Sequence, residues 1–237
     1  MSTTPGGSKM ALYLHDGAYS IRVDGRVLMN SRQHESELEL ARLGCSHLAG
    51  RKDGAVLIGG LGLGYSLRRC LDLVGPAASV TVCELMAEVI DWNREHLGSL
   101  TDHPLRDPRV RVEQTDVVAL LSRRKRAFDA ILLDIDNGPS ALADGGNRRL
   151  YGRRGIGLCR AALTDTGCLA VWSVEPDKAY EEALVRAGFS VRRHRVPAYK
   201  GSKSQSRFVF LAANNPAVLP PGGGEPRKTT SNRGRRP

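Results

Sequence analysis

Two acids stand at the end of an apolar run, Phe128-Asp-Ala-Ile-Leu-Leu-Asp134, which continues through Ile135, Asp136, Asn137, Gly138 and Pro139. Carboxylates at a strand tip are placed to meet an amine. An amine attacks through its lone pair, yet near pH 7 it carries an extra proton. A carboxylate can hold the ammonium, orient it and accept that proton. Asp134 and Asp136 are therefore the candidate catalytic residues, with Asn137 a candidate substrate contact. Asp136-Asn-Gly-Pro also reads as a simple turn, which accounts for Asn137 better than for Asp134.

A second feature supplies the other half of a reaction. The run Ala55-Val-Leu-Ile-Gly-Gly-Leu-Gly-Leu-Gly64 precedes Tyr65, and Val80-Thr-Val-Cys-Glu84 follows. Glycines allow a tight turn and a ligand's close approach to the backbone. An acid at the end of the next strand suits the paired hydroxyls of a ribose. A dinucleotide fingerprint needs G-x-G-x-x-G, but Tyr65 fills the third position, and the loop is G-x-G-x-G. That pattern suits a nucleoside cofactor without a pyrophosphate, such as S-adenosylmethionine or its decarboxylated form. Gly60, Gly62, Gly64 and Glu84 are the candidate cofactor contacts. Asp116, after Val110-Arg-Val-Glu-Gln-Thr115, can accept the adenine amino group or cap a helix.

Weaker candidates surround these. Glu35, in His34-Glu-Ser-Glu37, could line the cleft as a substrate contact, although first-turn acids also arise from the helix dipole. Trp172 ends the fifth strand of the main pattern, where an aromatic could face a cation. The six histidines form no H-x-x-x-H or His/Cys group, so no metal is expected. A sulfonium donor is already activated and needs none. A G-x-S-x-G nucleophile elbow is absent.

These residues need a scaffold that brings strand ends together. Residues 10–30 alternate apolar and polar, punctuated by Asp16-Gly17 and Asp24-Gly25, which predicts an antiparallel meander. A helix follows over 34–49. From Ala55 strands and helices alternate. Strands are expected near 55–59, 79–83, 109–113, 128–134, 168–173, 189–195 and 206–212, with helices near 65–74, 86–97, 116–122, 148–163 and 177–187. Such alternation argues a mostly parallel sheet covered on both faces. The last two strands are joined too briefly for a crossover helix, so they should pair antiparallel. Seven strands with one reversed near the end is the Rossmann-like class I methyltransferase arrangement, an α/β fold. Its ligands sit beyond the carboxyl ends of the strands.

Composition narrows the classes. The 237 residues are 41% hydrophobic, enough for a real core. No run nears the roughly 20 apolar residues of a membrane span, and the first residues lack a signal pattern. Cys45, Cys70, Cys83, Cys159 and Cys168 are scattered and odd in number, which fits reduced thiols in the cytoplasm. The net charge is +10, but Arg227, Lys228, Arg233, Arg235 and Arg236 against Glu225 place +4 of it in a Pro/Gly-rich tail. That tail reads as disordered. Arg123-Arg-Lys-Arg126 reads as a solvated loop. With few aromatics to stack on bases, nucleic acid is disfavoured as a partner and, if bound at all, falls to the tail. The expected organisation is a flexible start at 1–9, a meander plus helix at 10–50, a nucleoside-binding domain at 51–213 and the basic tail at 214–237.

Over roughly residues 10–212 the order of motifs resembles the spermidine synthase-like family of S-adenosyl-dependent transferases. The matching pieces are Ser20-Ile-Arg-Val-Asp-Gly-Arg26, the Val56–Gly64 loop, Glu84, Asp107-Pro-Arg-Val110 leading to Asp116, Phe128–Asp134, Leu150-Tyr151 and Gly167–Trp172. The resemblance implies a small β-domain ahead of a methyltransferase-like domain, an S-adenosyl nucleoside ligand, often a homodimer, and a role in polyamine biosynthesis. The family's characteristic reaction moves an aminopropyl group from decarboxylated S-adenosylmethionine to putrescine or a relative. It would give Glu84 the ribose, Asp116 the adenine and Asp134 the attacking amine, with Asp136 or Asn137 near the family's second acid. The chain departs from the family at three places. Its loop lacks the aspartate of G-G-G-D-G-G, Gln33 replaces a tyrosine before His34-Glu35, and Asp-Ile-Asp-Asn replaces Asp-Ser-x-Asp. A methyltransferase on the same fold is the rival enzyme reading, because loss of the loop acid removes a repulsion to an intact α-carboxylate. A non-catalytic module acting through the basic tail is the third.

Overall fold

The computed structural model describes residues 2–4, 7–135, 138–139, 148–202 and 206–224. The alternating residues at the start form a four-stranded antiparallel sheet in the order β1-β2-β3-β4: β1 Ser2–Thr3, β2 Lys9–His15, β3 Ala18–Val23 and β4 Arg26–Asn30. Both connecting D-G pairs adopt positive φ at both residues, at 49° and 70° for Asp16-Gly17 and 48° and 77° for Asp24-Gly25. That backbone twist matches the flanking strands. Ser2–Thr3, within the expected flexible start, pairs antiparallel with β2.

The second sheet has seven strands: β5 Ala55–Gly59, β6 Ser79–Glu84, β7 Val110–Gln114, β8 Phe128–Leu133, β9 Leu163–Ser173, β10 Ser190–Pro197 and β11 Ser206–Ala213. Their order is β10-β11-β9-β8-β5-β6-β7. β7, β6, β5, β8 and β9 run parallel, and β11 is antiparallel to both β9 and β10. This is the arrangement read from the alternation. β9 begins five residues earlier than expected, because Leu163 leaves the preceding helix directly into pairing with Phe128.

The helices are α1 Glu35–Gly44, α2 Tyr65–Leu73, α3 Ala87–Trp92, α4 Val117–Ser122, α5 Arg148–Tyr151, α6 Arg153–Ala162 and α7 Lys178–Arg186. Helix α3 continues into a π turn at Asn93–Leu97. Burial on both faces explains the near-continuous apolar strands. Val56, Ile58, Val80, Val82, Ala130 and Leu132 join one core with α1 and α2. Leu57, Ile131, Leu133, Leu169 and Val171 join the other with α4, α6 and α7.

Helix α1 follows the meander in sequence but packs on the large sheet. Leu40, Ala41 and Leu43 are buried in the first core. At Gly44 a Cβ would collide with Leu132 and Ala170, so α1 lies hard against β8 and β9. Close packing at this end fixes where the first turn of α1 stands relative to the strand tips.

Candidate active site

The carboxyl ends of the parallel strands carry most of the residues that the sequence singled out. Glu84 ends β6 and is buried. Its carboxylate accepts from the Leu61 N–H at 2.9 Å and from the Met86 N–H at 2.9 Å. One bond reaches back to the glycine loop and the other to the entry of α3. Burial raises the Glu84 pKa above the usual carboxylate value, and the backbone N–H groups oppose that rise. The N–H groups of Leu85 and Gly62 also act on this carboxylate.

The loop glycines have distinct duties. Gly60 has φ of 88°, and a Cβ there would strike the Asp134 carbonyl. Its missing side chain lets the β5 turn approach the chain leaving β8, so the protein itself accounts for Gly60. Gly62, with φ of 52°, lies under Met29 of β4, whose Sδ would be 3.2 Å from an added Cβ. Gly64 ends the turn as the N-cap of α2.

Asp134 follows β8, and its carboxylate accepts from the Ser66 hydroxyl at 2.8 Å. Glu37, from the first turn of α1, faces it. The Ser36 hydroxyl donates to Glu37 at 2.6 Å. Burial and then the neighbouring Asp134 carboxylate push Glu37 up to about 8, against the pull of Ser36. Burial also pushes Asp134 up to about 6, opposed by Ser66. With both carboxyls pushed up, the pair holds a proton more readily near neutral pH than free acids would.

Both acids line one cavity with Met29, Gly62, Tyr65, Trp172 and Arg207. The meander supplies one wall, α1 and the glycine loop the next, and the ends of β8 and β9 with the start of β11 the floor. Tyr65 stacks on His34 with ring centroids 4.0 Å apart and planes 8° off parallel. Tyr65 Oη and His34 Nδ1 both bond the Ser31 carbonyl, at 3.2 and 2.9 Å. This pins the entry of α1 to the start of α2, and with it the placement of Glu37.

Residues 40–186 match the model of the spermine/spermidine synthase domain. The chain belongs to the spermine/spermidine synthase family. It is 32% identical over 169 residues to polyamine aminopropyltransferase 2 of Pseudomonas aeruginosa, a match covering 68% of this chain and 46% of that protein. The chain therefore spans less than half the length of that relative. Among solved structures, spermidine synthase from Thermotoga maritima superposes with a TM-score of 0.70 at 20% identity, over 90% of this chain and 73% of the other. A spermidine synthase in complex with the transition-state analogue AdoDATO gives 0.70 at 20%, over 93% and 74%. These likenesses show the fold.

One expected residue sits elsewhere than the sequence suggested. Glu35 does not line the cavity; Glu37 does. Two helical steps turn a side chain by about 200°, so Glu35 and Glu37 leave α1 on opposite sides. Asp116 caps α4 by accepting from the Ala119 N–H at 2.9 Å, which leaves its second oxygen for another donor. Asp136 and Asn137 lie outside the described residues. Sequence reasoning passed over Ser66, Glu37 and Arg207. The His-Glu-Ser-Glu run held a signal for Glu37, whereas Arg207 opens a strand with nothing local to mark it.

The acid pair has a consequence for stability. In the unfolded chain Glu37 ionises near its ordinary value of 4.5, and in the fold near about 8. Its folded pKa is raised, so the fold loses stability as pH rises between those values. Glu37→Gln removes that loss. Each unit of elevation corresponds to about 1.4 kcal/mol, so the variant should gain several degrees in Tm at pH 8 and little at pH 5. Thermal unfolding at the two pH values checks this, and an equal gain at both would count against a buried acid pair.

Proposed function

We propose that the protein is a cytoplasmic aminopropyltransferase that uses decarboxylated S-adenosylmethionine and an amine acceptor. The acid pair Asp134–Glu37, lining a cavity beside the glycine loop in a chain of this family, carries the reading. The residues fit such a donor. Glu84 offers a buried carboxylate bonded to the glycine loop at Leu61, and Leu61 and Gly62 of that loop line the cavity that holds Asp134. The five unpaired, buried cysteines suit a reducing compartment.

The donor supplies a carbon made electrophilic by its sulfonium. Asp134 and Glu37 hold the incoming ammonium and take its proton. The freed nitrogen then forms its bond to the propyl carbon as the carbon–sulfur bond breaks, and the thioether leaves with the electron pair. Position and charge do the work here, through alignment of the amine and stabilisation of its cation.

Calorimetric titration with S-adenosylmethionine and with its decarboxylated form tests the reading. Tighter binding of the decarboxylated ligand, with thioether release when an amine is added, is the expected result. Preference for the intact ligand would shift the reaction to methyl transfer.

A further inference from the structure

Glu84, the glycine loop and the cavity residues beyond it follow the strand order of the sheet. Glu84 ends β6, the glycine loop follows β5, Asp134 follows β8, Trp172 lies near the end of β9, and Arg207 lies near the start of β11. Phe208 pairs with Ser173, which brings the start of β11 level with the end of β9. Adjacent strands are about 4.8 Å apart. Arg207 therefore sits about 10 Å beyond the strand of Asp134, on the side away from Glu84. Glu84 and Arg207 thus lie on opposite sides of Asp134, and Arg207 shares the cavity of the acid pair.

Arg207 is half-buried and lines the cavity. It donates to the adjacent Ser206 carbonyl at 3.1 Å, and although its charge acts on Glu37, it forms no close ion pair with a carboxylate among the described residues. A second donor stands beside it. Trp172 lines the same cavity, and its indole Nε1–H is buried with no partner among the described residues. A buried donor left without an acceptor costs about 1–3 kcal/mol, which an anionic ligand group would recover.

We propose that the acceptor carries an acid at its far end: its amine meets Asp134 and Glu37, and its carboxylate meets Arg207 and the Trp172 indole N–H. This rests on the transfer reading above and narrows its acceptor from amines in general to amino carboxylates. Charge balance agrees. With one proton bound, the acid pair carries one negative charge, and Arg207 carries one positive charge. A zwitterion matches both, whereas a diamine would set its second ammonium against a guanidinium, and like charges placed together disfavour the wrong partner.

The test is calorimetric titration of the full-length protein with putrescine, 4-aminobutanoate and 6-aminohexanoate, with and without the thioether product 5′-methylthioadenosine. At least one amino carboxylate should bind ten-fold or more tightly than putrescine. Arg207→Gln should abolish that preference without changing nucleoside affinity, Arg207→Lys should keep it, and Arg207→Glu should invert it. Equal or tighter binding of putrescine, no binding of any of the three amines, or a preference untouched by Arg207→Gln would overturn the proposal. The amine preference is read without turnover. Failure of the transfer reading would appear separately, as no thioether release from the decarboxylated donor with any amine.

Discussion

Asp134→Asn should lower turnover by about two to four orders of magnitude, the usual contribution of a positioned proton acceptor, and leave donor affinity within about threefold. The asparagine keeps the shape and can still accept from Ser66, which donates to Asp134 at 2.8 Å. It cannot take a proton. Donor affinity should survive because Glu84 stands two strands away, across β5. The substitution also removes the repulsion that helps lift Glu37. The acidic limb of the residual pH profile should therefore move to lower pH. Single-turnover thioether release, measured against pH beside calorimetry for the donor, checks all three statements. Unchanged turnover would remove Asp134 as the partner of the amine.

Glu84→Ala should weaken donor binding by on the order of 100-fold. Two effects combine in it. The ribose loses an acceptor in a buried site, and the Leu61 and Met86 N–H groups lose theirs. Each buried group left unsatisfied costs about 1–3 kcal/mol, so the glycine loop should loosen and Tm should fall as well. Glu84→Gln separates the effects. Its amide oxygen can keep one of the two backbone bonds, so its Tm should lie between those of wild type and alanine variant while donor affinity stays well below wild type. Donor affinity unchanged in both variants would mean that the nucleoside binds elsewhere.

Much of this was legible because the signals were local. The Ala55–Gly59 run could only be a strand buried on both faces, and the glycines after it could only turn. Glu84 was placed by its distance from that loop, and the structure puts it against Leu61. The short link after Pro197 was enough to fix β10 and β11 as an antiparallel pair. What escaped depended on packing between distant segments. Helix α1 reads as the close of the meander, but Leu40, Leu43 and Gly44 fix it on β8 and β9 instead. The phase of α1 against that sheet selects Glu37 over Glu35, and no local pattern reports it. Arg207 shows the same limit, since its importance comes from the neighbours that a reversed strand gives it. Gly60 also answers to packing within the protein, since a Cβ there would meet the Asp134 carbonyl.

The cavity wall at Met29 and the guanidinium at Arg207 come from opposite ends of the described chain, yet they face the same ligand space. Contacts of such long sequence separation form late, because loop closure must precede them. A nascent polypeptide emerging from the ribosome can complete β5 to β8, with the glycine loop and Glu84, long before β11 has been made. The Glu84 side of the sheet is thus the first to mature and the Arg207 side the last. A ligand for the Glu84 side could assist folding early in synthesis, whereas an acceptor can bind only to the finished protein.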